Sequence, residues 1–221
     1  MLKLEDIGYR YRKGNVNVLY NVNAEFEAGK FNAIVGPSGS GKTTLLSIMA
    51  GMDKPNSGVI SIDGKSLAEM DLNQYRRESV SMIFQAFHLF PLLTVIENVC
   101  YPMEAMGAKR KDAEAKAKIL LESVGISDEK HNRYPANLSG GEQQRVAIAR
   151  ALSTGAKTIL ADEPTGNLDT ANSDVVISIL HKLAHEQGYC VVVVTHNPEI
   201  ASAADIVFRM KDGVLLRESV S

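Results

Sequence analysis

The feature that most constrains the fold is a glycine-rich segment placed between a short apolar strand and an amphipathic helix. Residues Gly36–Thr44 read GPSGSGKTT and follow the apolar run Phe31–Val35. The apolar side of the helix that comes next is formed by Leu45, Leu46, Ile48 and Met49. Strand, Gly-x-x-x-x-Gly-Lys-Thr and helix, in this order, define a P-loop. The segment therefore predicts a unit that wraps a di- or triphosphate.

The residue types of this loop suit phosphate binding for separate physical reasons. Glycines let the backbone turn tightly with its N–H groups inward, and the helix start adds partial positive charge. Lys42 is expected to reach the β- and γ-phosphates, and Thr43 to place its hydroxyl on Mg²⁺. The residues expected to bind the phosphate chain are Gly36, Pro37, Ser38, Gly39, Ser40, Gly41, Lys42, Thr43 and Thr44. The alternative, a plain Gly/Ser-rich turn, leaves the flanking strand and helix unexplained.

Further apolar runs alternate with helical patterns along the chain. The runs that predict strands are Val59–Ile62, Val80–Phe84, Thr158–Ala161, Cys190–Thr195, Ile206–Met210 and Val214–Leu216. A helix is expected over Ala171–Gln187, closed by Gly188. Alternation of this kind predicts an α/β fold with a mostly parallel sheet and helices on both faces.

Two segments depart from this alternation. Strand-like runs at Asn15–Val18 and Ala24–Glu27 predict an antiparallel sheet edge beside the main core. Residues 94–152 read as helical, with capping boxes at Thr94-x-x-Glu97 and Ser139-x-x-Glu142. We therefore expect one domain over residues 1–221. Its core takes residues 1–93 and 154–221 with the antiparallel β-subdomain, and residues 94–153 form an inserted helical subdomain.

Charge and hydropathy exclude several classes of function. The formal net charge of −2 gives no electrostatic case for nucleic-acid binding. No window approaches the ~18 apolar residues of a membrane span, so direct membrane insertion is not expected. The N-terminus lacks the apolar core of a signal peptide, and Cys100 and Cys190 do not suggest a disulfide framework. The chain is predicted to be cytoplasmic, with any membrane role coming through a partner.

Polar residues follow the predicted strands at the edge where an open α/β sheet binds its ligands. Gln85 could touch Mg²⁺ and an attacking water, or be an ordinary polar residue leaving a strand. Asp162 is expected to hold the metal and Glu163 to polarise the water for in-line attack. A solvated turn is the alternative for this acidic pair. His196 could bond the γ-phosphate, although a lone histidine at a strand end is more often structural.

The stretch Leu138–Arg145 reads LSGGEQQR and starts a helix. Ser139 caps this helix, while Gly140 and Gly141 leave its first N–H groups uncovered, which predicts a second anion-binding helix start. A well-capped helix with no ligand is the plain alternative. The dipole alone contributes roughly 0.3–1 kcal/mol, so a phosphate contact needs the Ser139 hydroxyl and several N–H groups together.

LSGGEQQR between the P-loop and the acidic pair resembles the signature sequence of ATP-binding cassette (ABC) proteins, and the resemblance covers essentially the whole chain. It implies ATP and Mg²⁺ as ligands, with Tyr11 stacked on adenine. Gln85 matches the family's Q-loop, His196 its switch histidine and Asn167–Asp169 its D-loop. Glu163 matches the catalytic carboxylate. The signature residues Ser139, Gly140, Gly141 and Glu142 are implied to contact the ATP of a second copy in a head-to-tail homodimer.

The resemblance further implies an ATPase subunit that drives an integral membrane permease from the inner face of the cell membrane. The sequences of Gln85–Val99 and Asp162–Asp169 resemble those of the branch that contains macrolide-export, lipoprotein-release and antimicrobial-peptide-resistance ATPases. The cell-division ATPase of this branch is similar too, so mechanotransmission in a membrane complex stays open. A soluble ABC ATPase of DNA repair or translation is a further alternative, as is a small-molecule kinase. The cargo and the identity of the permease are not written in this sequence.

Overall fold

The computed structural model describes residues 1–11 and 16–218, within which the chain forms ten strands and seven α-helices. The strands are β1 (Leu2–Arg10), β2 (Asn17–Phe26), β3 (Phe31–Val35), β4 (Ser57–Ile62), β5 (Lys65–Ser66), β6 (Val80–Ile83), β7 (Thr158–Asp162), β8 (Cys190–Thr195), β9 (Ile206–Lys211) and β10 (Val214–Arg217). The helices are α1 (Lys42–Met49), α2 (Leu72–Glu78), α3 (Val95–Ala105), α4 (Arg110–Ser123), α5 (Gly140–Ser153), α6 (Thr170–His185) and α7 (Pro198–Ala203).

The larger sheet has six strands in the order β10-β9-β3-β8-β7-β6. All neighbouring pairs from β9 to β6 are parallel, and β10 is antiparallel to β9. Val35 pairs with Thr195, and Asp162 pairs with Val194. The carboxyl ends of β3, β8 and β7 therefore lie side by side, which confirms the predicted α/β class and sets the edge where the site forms.

Strands β3 and β8 lack a polar face because both faces of the sheet are covered. Val191 and Val193 pack into the core beneath α3–α6, whereas Val192 and Val194 pack into the core beneath α1 and the smaller sheet. A strand buried on both faces reads as a continuous apolar run, as β8 does. The predicted bounds of β3 and β8 are confirmed, while β7 extends one residue further, to Asp162.

The smaller sheet is antiparallel, in the order β2-β1-β4-β5, as expected for the region beside the main core. The two runs predicted for this region overlap the two ends of one strand, β2; Val16 and Glu27 lie just outside that strand, and Asn15 lies outside the described residues. Alternation of buried residues breaks between Leu19 and Val22, where Asn21 has a φ of 46°. This irregularity makes one strand read as two in the sequence.

Three helices, α3, α4 and α5, occupy the region predicted to be helical and pack against one another. Both predicted capping boxes are present, at the starts of α3 and α5. Helix α4 buries Ala113, Ala117 and Leu121, a stripe at a spacing of four. Among the described residues, none of the helices combines the length and apolar character that crossing a bilayer requires.

Candidate active site

A cleft of about 740 Å³ opens at the carboxyl edge of β3, β7 and β8. It brings together residues that are far apart in the sequence, and nearly all of them are predicted site residues. The cleft is lined by Tyr11, Val18, Ser38, Gly39, Gly41, Lys42, Thr43, Thr44, Glu163 and His196. Val18 is the member that sequence reasoning missed, because nothing distinguishes it from the other apolar residues of β2.

The loop between β3 and α1 depends on its glycines. Gly39 and Gly41 have φ values of 76° and 106°, in the left-handed region that favours glycine. Gly36 is needed for a different reason: a Cβ there would lie 2.1 Å from the Met210 carbonyl oxygen of β9. The loop is thus shaped by backbone freedom at two positions and by close packing at a third.

Lys42 holds this loop from the inside. Its ammonium donates to the carbonyl oxygens of Gly36 at 2.8 Å and Pro37 at 3.0 Å. The side chain is buried, and it is counted among the lining residues of the cleft. The Ser40 hydroxyl is also buried and finds no partner among the described residues. Both groups are donors that a phosphate oxygen can accept from.

Tyr11 lies at the outer side of the cleft. Its hydroxyl is 2.9 Å from the Thr44 hydroxyl, and its ring stands edge-on to that of Tyr9 at 5.1 Å. The residue is 47% exposed, so one ring face is open to solvent. An exposed aromatic ring beside a phosphate-binding loop suits stacking with a planar base.

The Thr43 hydroxyl of α1 lies close to the Asp162 carboxylate at the end of β7. The Thr43 hydroxyl is 3.5 Å from Oδ1 of Asp162. Burial, and then the neighbouring Glu163 carboxylate, raise the pKa of Asp162, while the Thr43 hydroxyl and the Lys42 ammonium act the other way. A hydroxyl and a carboxylate are hard oxygen donors of the kind that Mg²⁺ selects, and a cation there would offset the cost of burying the charged Asp162.

Gln85, the third predicted metal ligand, is engaged elsewhere. Its side-chain amide donates to Oδ1 of Asn167 at 3.2 Å, and the Asn167 amide donates to the Gln85 carbonyl oxygen at 3.0 Å. Gly166 permits this approach, because a Cβ there would lie 2.7 Å from Nε2 of Gln85. The described lining of the cleft does not include Gln85. It borders the site through the Asn167 segment.

Glu163 and His196 form the acidic side of the cleft. Oε1 of Glu163 is 2.7 Å from Nδ1 of His196, and Oε2 accepts from the Thr195 hydroxyl at 2.9 Å and the His196 N–H at 3.3 Å. Glu163 has a φ of 45°, an uncommon value for a residue with a side chain. Its carboxylate is therefore fixed by both its backbone and its partners. Sequence reasoning missed Thr195, whose signal was a hydroxyl closing an otherwise apolar strand.

The start of α5 lies apart from this cleft. Ser139 Oγ accepts from the Glu142 N–H at 3.3 Å, and the Glu142 carboxylate accepts from the Ser139 N–H at 2.8 Å. The same carboxylate bonds the Lys130 ammonium, which, with the Ser139 N–H, lowers the pKa of Glu142 to about 2. None of the cleft's described lining residues belongs to α5. The four predicted signature residues thus sit together, but not against the P-loop of their own chain.

The two glycines of this helix start differ in their surroundings. A Cβ on Gly141 would lie 2.0 Å from Oδ1 of Asn172 at the start of α6. A Cβ on Gly140 would meet nothing closer than 3.7 Å, with Phe87 and Leu168 nearest. Gly141 is therefore required by packing, whereas Gly140 leaves its backbone accessible.

Comparison with known proteins gives one consistent result. The sequence profile of the family described as "ABC transporter" matches residues 19–166. An uncharacterized ABC transporter ATP-binding protein of Bacillus subtilis, YclH, is 41% identical over 213 residues, which cover 96% of this chain and 94% of YclH. The macrolide export ATP-binding/permease protein MacB of Shigella flexneri is 45% identical over 98% of this chain, which spans 34% of MacB.

Solved structures agree with the sequence relatives. A bacterial ABC transporter cassette, MJ0796, solved as a dimer, superposes with a TM-score of 0.90 at 38% identity, covering 100% of this chain and 99% of the other. The same cassette has also been solved in a post-hydrolysis state with ADP and Pi bound, again with a TM-score of 0.90, at 37% identity.

Proposed function

Because this chain belongs to the ABC transporter family and is an ATP-binding, ATP-hydrolysing cassette of it, we propose that it powers export of a substrate through a membrane permease. The observation that carries the proposal is the cleft, where a phosphate-binding loop, two oxygen ligands and a fixed carboxylate meet. MacB, which is named for macrolide export, supports the export assignment. Macrolides, peptides and lipoproteins are the cargo classes to test.

Each residue of the cleft takes a role that its contacts support. Lys42 exchanges its two carbonyl acceptors for phosphate oxygens, and the loop N–H groups surround the phosphate chain. Tyr11 stacks on the base. Thr43 and Asp162, with Gln85 near by, would hold Mg²⁺, and the bound cation would neutralise charge that develops on the phosphates.

Glu163 supplies the general base. Its carboxylate orients the attacking water and accepts its proton, and His196, which bonds the carboxylate through Nδ1, reaches toward the terminal phosphate. The adjacent acids thereby have different roles: Asp162, whose pKa is raised by burial, binds metal, and Glu163, which lines the cleft, accepts the proton.

The active unit is a homodimer in which α5 of one copy closes the cleft of the other. Within one chain, Ser139, Gly140, Gly141 and Glu142 are stably arranged but lie outside the described lining of the cleft. The dimeric solved form of MJ0796 supports this arrangement. ATP joins the two copies, and hydrolysis releases them.

A groove of about 490 Å³ beside β6 provides the contact with the permease. It is lined by aromatic and aliphatic side chains that include Met82, Phe84, His88, Phe90 and Tyr101. Leu92, two residues after Phe90 in the sequence, is 87% exposed. We place the chain on the inner face of the cell membrane, held there by its permease. Residues 94–153 act as the subdomain that moves with this groove.

The test uses Glu163→Gln with the conservative Glu163→Asp beside it. Glu163→Gln keeps the shape of the side chain but removes the base, so ATP turnover is expected to fall at least ~100-fold while ATP binding persists. Size-exclusion chromatography with ATP is expected to show a stable dimer of Glu163→Gln and a monomer without nucleotide. Near-normal turnover of Glu163→Gln would remove Glu163 from its role. ATP-driven transport by the reconstituted permease complex separates export from mechanotransmission.

A further inference from the structure

We propose that Thr195 is a positioning residue for the Glu163 carboxylate, setting the rate of hydrolysis without touching the nucleotide. This role rests on the proposed function, because it presupposes that Glu163 is the base. Thr195 is fully buried, closes β8 after four valines, and is not among the described residues that line the cleft. A buried hydroxyl at the end of an apolar strand must find hydrogen-bond partners, and it finds two.

The two partners fix the direction of the hydroxyl proton. Thr195 Oγ1 lies 2.9 Å from the Asn197 backbone N–H and 2.9 Å from Oε2 of Glu163. The Asn197 N–H can only donate, so the oxygen accepts there. The single hydroxyl proton is then directed to the carboxylate. The sheet therefore fixes the position of the Thr195 hydroxyl, and the Asn197 N–H fixes its orientation.

Glu163 needs such a donor because of where it stands. It follows β7 with a φ of 45°, and its own N–H donates to the Val194 carbonyl oxygen at 2.9 Å. The backbone is therefore tied to β8 immediately before Thr195. The remaining freedom belongs to the side chain, and the contacts on Oε2 restrict it.

The other side-chain partner of this carboxylate is less firmly held. The His196 side chain is 73% exposed, whereas Thr195 is 0% exposed. The exposed imidazole can rotate, so Thr195 is the side-chain contact that stays in place through the cycle. Without the Thr195 hydroxyl, the Glu163 carboxylate remains but its orientation is less restricted. Small misplacements of a catalytic group can lower the rate about 100-fold.

The experiment compares Thr195→Val, Thr195→Ala and Thr195→Ser in the full chain. Valine keeps the shape and removes the hydroxyl, so kcat is expected to fall about 10- to 100-fold with KM for ATP within about twofold. Thr195→Ser keeps the donor and is expected to restore kcat to within about threefold of wild type. Thr195→Ala repeats the loss of the donor if Thr195→Val does not fold, as judged by Tm.

A double mutant and a matched control separate positioning from packing. In the Glu163→Gln background, Thr195→Val is expected to lower the residual rate by less than about twofold, because residues acting as a unit are not additive. The control is Ser81→Ala on β6. This change removes another buried hydroxyl, which donates to the Ala151 carbonyl oxygen at 2.8 Å. It is expected to keep kcat.

Outcomes divide cleanly between the two proposals. If Glu163→Gln is inactive but Thr195→Val and Thr195→Ala keep kcat within twofold of wild type, the role of Thr195 is wrong and the proposed function stands. If Thr195→Ser or Ser81→Ala loses as much kcat as Thr195→Val, the effect is packing and the role is also wrong. If Glu163→Gln keeps turnover, Glu163 is not the base, and the role of Thr195 that depends on it is wrong too; the export proposal fails instead if the reconstituted permease complex shows no ATP-driven transport.

Discussion

Two helices of this chain begin with glycine-rich turns, yet they treat their free N–H groups in opposite ways. Helix α1 has Gly41 as its N-cap, and no side-chain cap from the described residues reaches its start. Helix α5 has Ser139 as its N-cap, completed by Glu142 in a capping box. The first turn of α1 carries the cation Lys42, whereas that of α5 carries the anion Glu142.

The difference shows what each helix start is built to do. At α1 no side chain of the described residues caps the free N–H groups, which leaves them available to an external anion. At α5 the capping box satisfies two N–H groups, and the Ser139 hydroxyl proton and the N–H groups of Gly140 and Gly141 remain. Under the proposed function, the first would be a complete phosphate site and the second half of one.

The largest effect that would test this contrast is expected from Ser139→Arg. A long cation at the start of α5 blocks its approach to the other copy, so ATP turnover is expected to fall at least ~100-fold. Nucleotide binding by a single subunit is expected to be unchanged, because α5 lies outside its own cleft. Steady-state ATPase assays and titration with a fluorescent ATP analogue measure the two. Weaker binding by the single subunit would place α5 in the same chain's site.

Next in size is Lys42→Ala. It removes the ammonium that charge-assists phosphate binding, so the Kd for ATP is expected to rise about 10- to 100-fold. Isothermal titration at 25 °C measures it. The matched control is Lys65→Ala, which removes an exposed lysine of β5 and is expected to leave Kd unchanged. If the two variants bind ATP alike, α1 is not the complete site described above.

Gly141→Ala and Gly140→Ala form a steric pair within the second helix start. The added methyl at residue 141 meets Asn172 at 2.0 Å, and the loss of unfolding free energy is expected to be about 1–3 kcal/mol. The methyl at residue 140 has 3.7 Å of clearance, and the change is expected to stay below about 1 kcal/mol. Urea unfolding measures both. Equal destabilisation would mean that both glycines serve packing.

The smallest effect concerns the charge of Glu142. Its pKa is lowered to about 2, so its contribution to folding is present above its unfolded pKa of about 4.3 and is lost as pH falls through that value toward 2. Glu142→Gln keeps a capping oxygen but loses the pair with Lys130, and is expected to cost about 1 kcal/mol at pH 7. Urea unfolding at pH 7 and pH 3.5 should show the difference shrinking at the lower pH. A constant difference would exclude the ion pair as its source.

Local patterns made much of this molecule predictable. The apolar runs gave the bounds of β3 and β8, and the spacing of Ser139 and Glu142 gave the cap of α5, because each depends on residues close in sequence. The P-loop could be placed for the same reason. Resemblance added Tyr11, whose ring lines the cleft.

What the sequence left open depends on tertiary approach. The partner of Gln85 is set by the space that Gly166 leaves, and the partner of Thr195 by the way β7 turns at Glu163. The irregular residue Asn21 split one strand into two apparent runs. The spacing of Ser139 and Glu142 predicted that the Glu142 carboxylate accepts from the Ser139 N–H, but not its second partner, the Lys130 ammonium.

Two hydrogen bonds join Gln85 and Asn167 and form a weak, reversible link between their segments. The Gln85 side-chain amide donates to Oδ1 of Asn167, and the Asn167 side-chain amide donates to the Gln85 backbone carbonyl oxygen. Residue 167 lies four positions beyond Glu163. A displacement of the segment that follows β6 would therefore be transmitted to the chain beside the Glu163 carboxylate. Two exposed bonds of this kind together contribute about 1–3 kcal/mol, which is small enough for them to break and re-form. Under the proposed function, a movement at the permease groove would therefore reach the Glu163 carboxylate through the breaking or forming of these two hydrogen bonds.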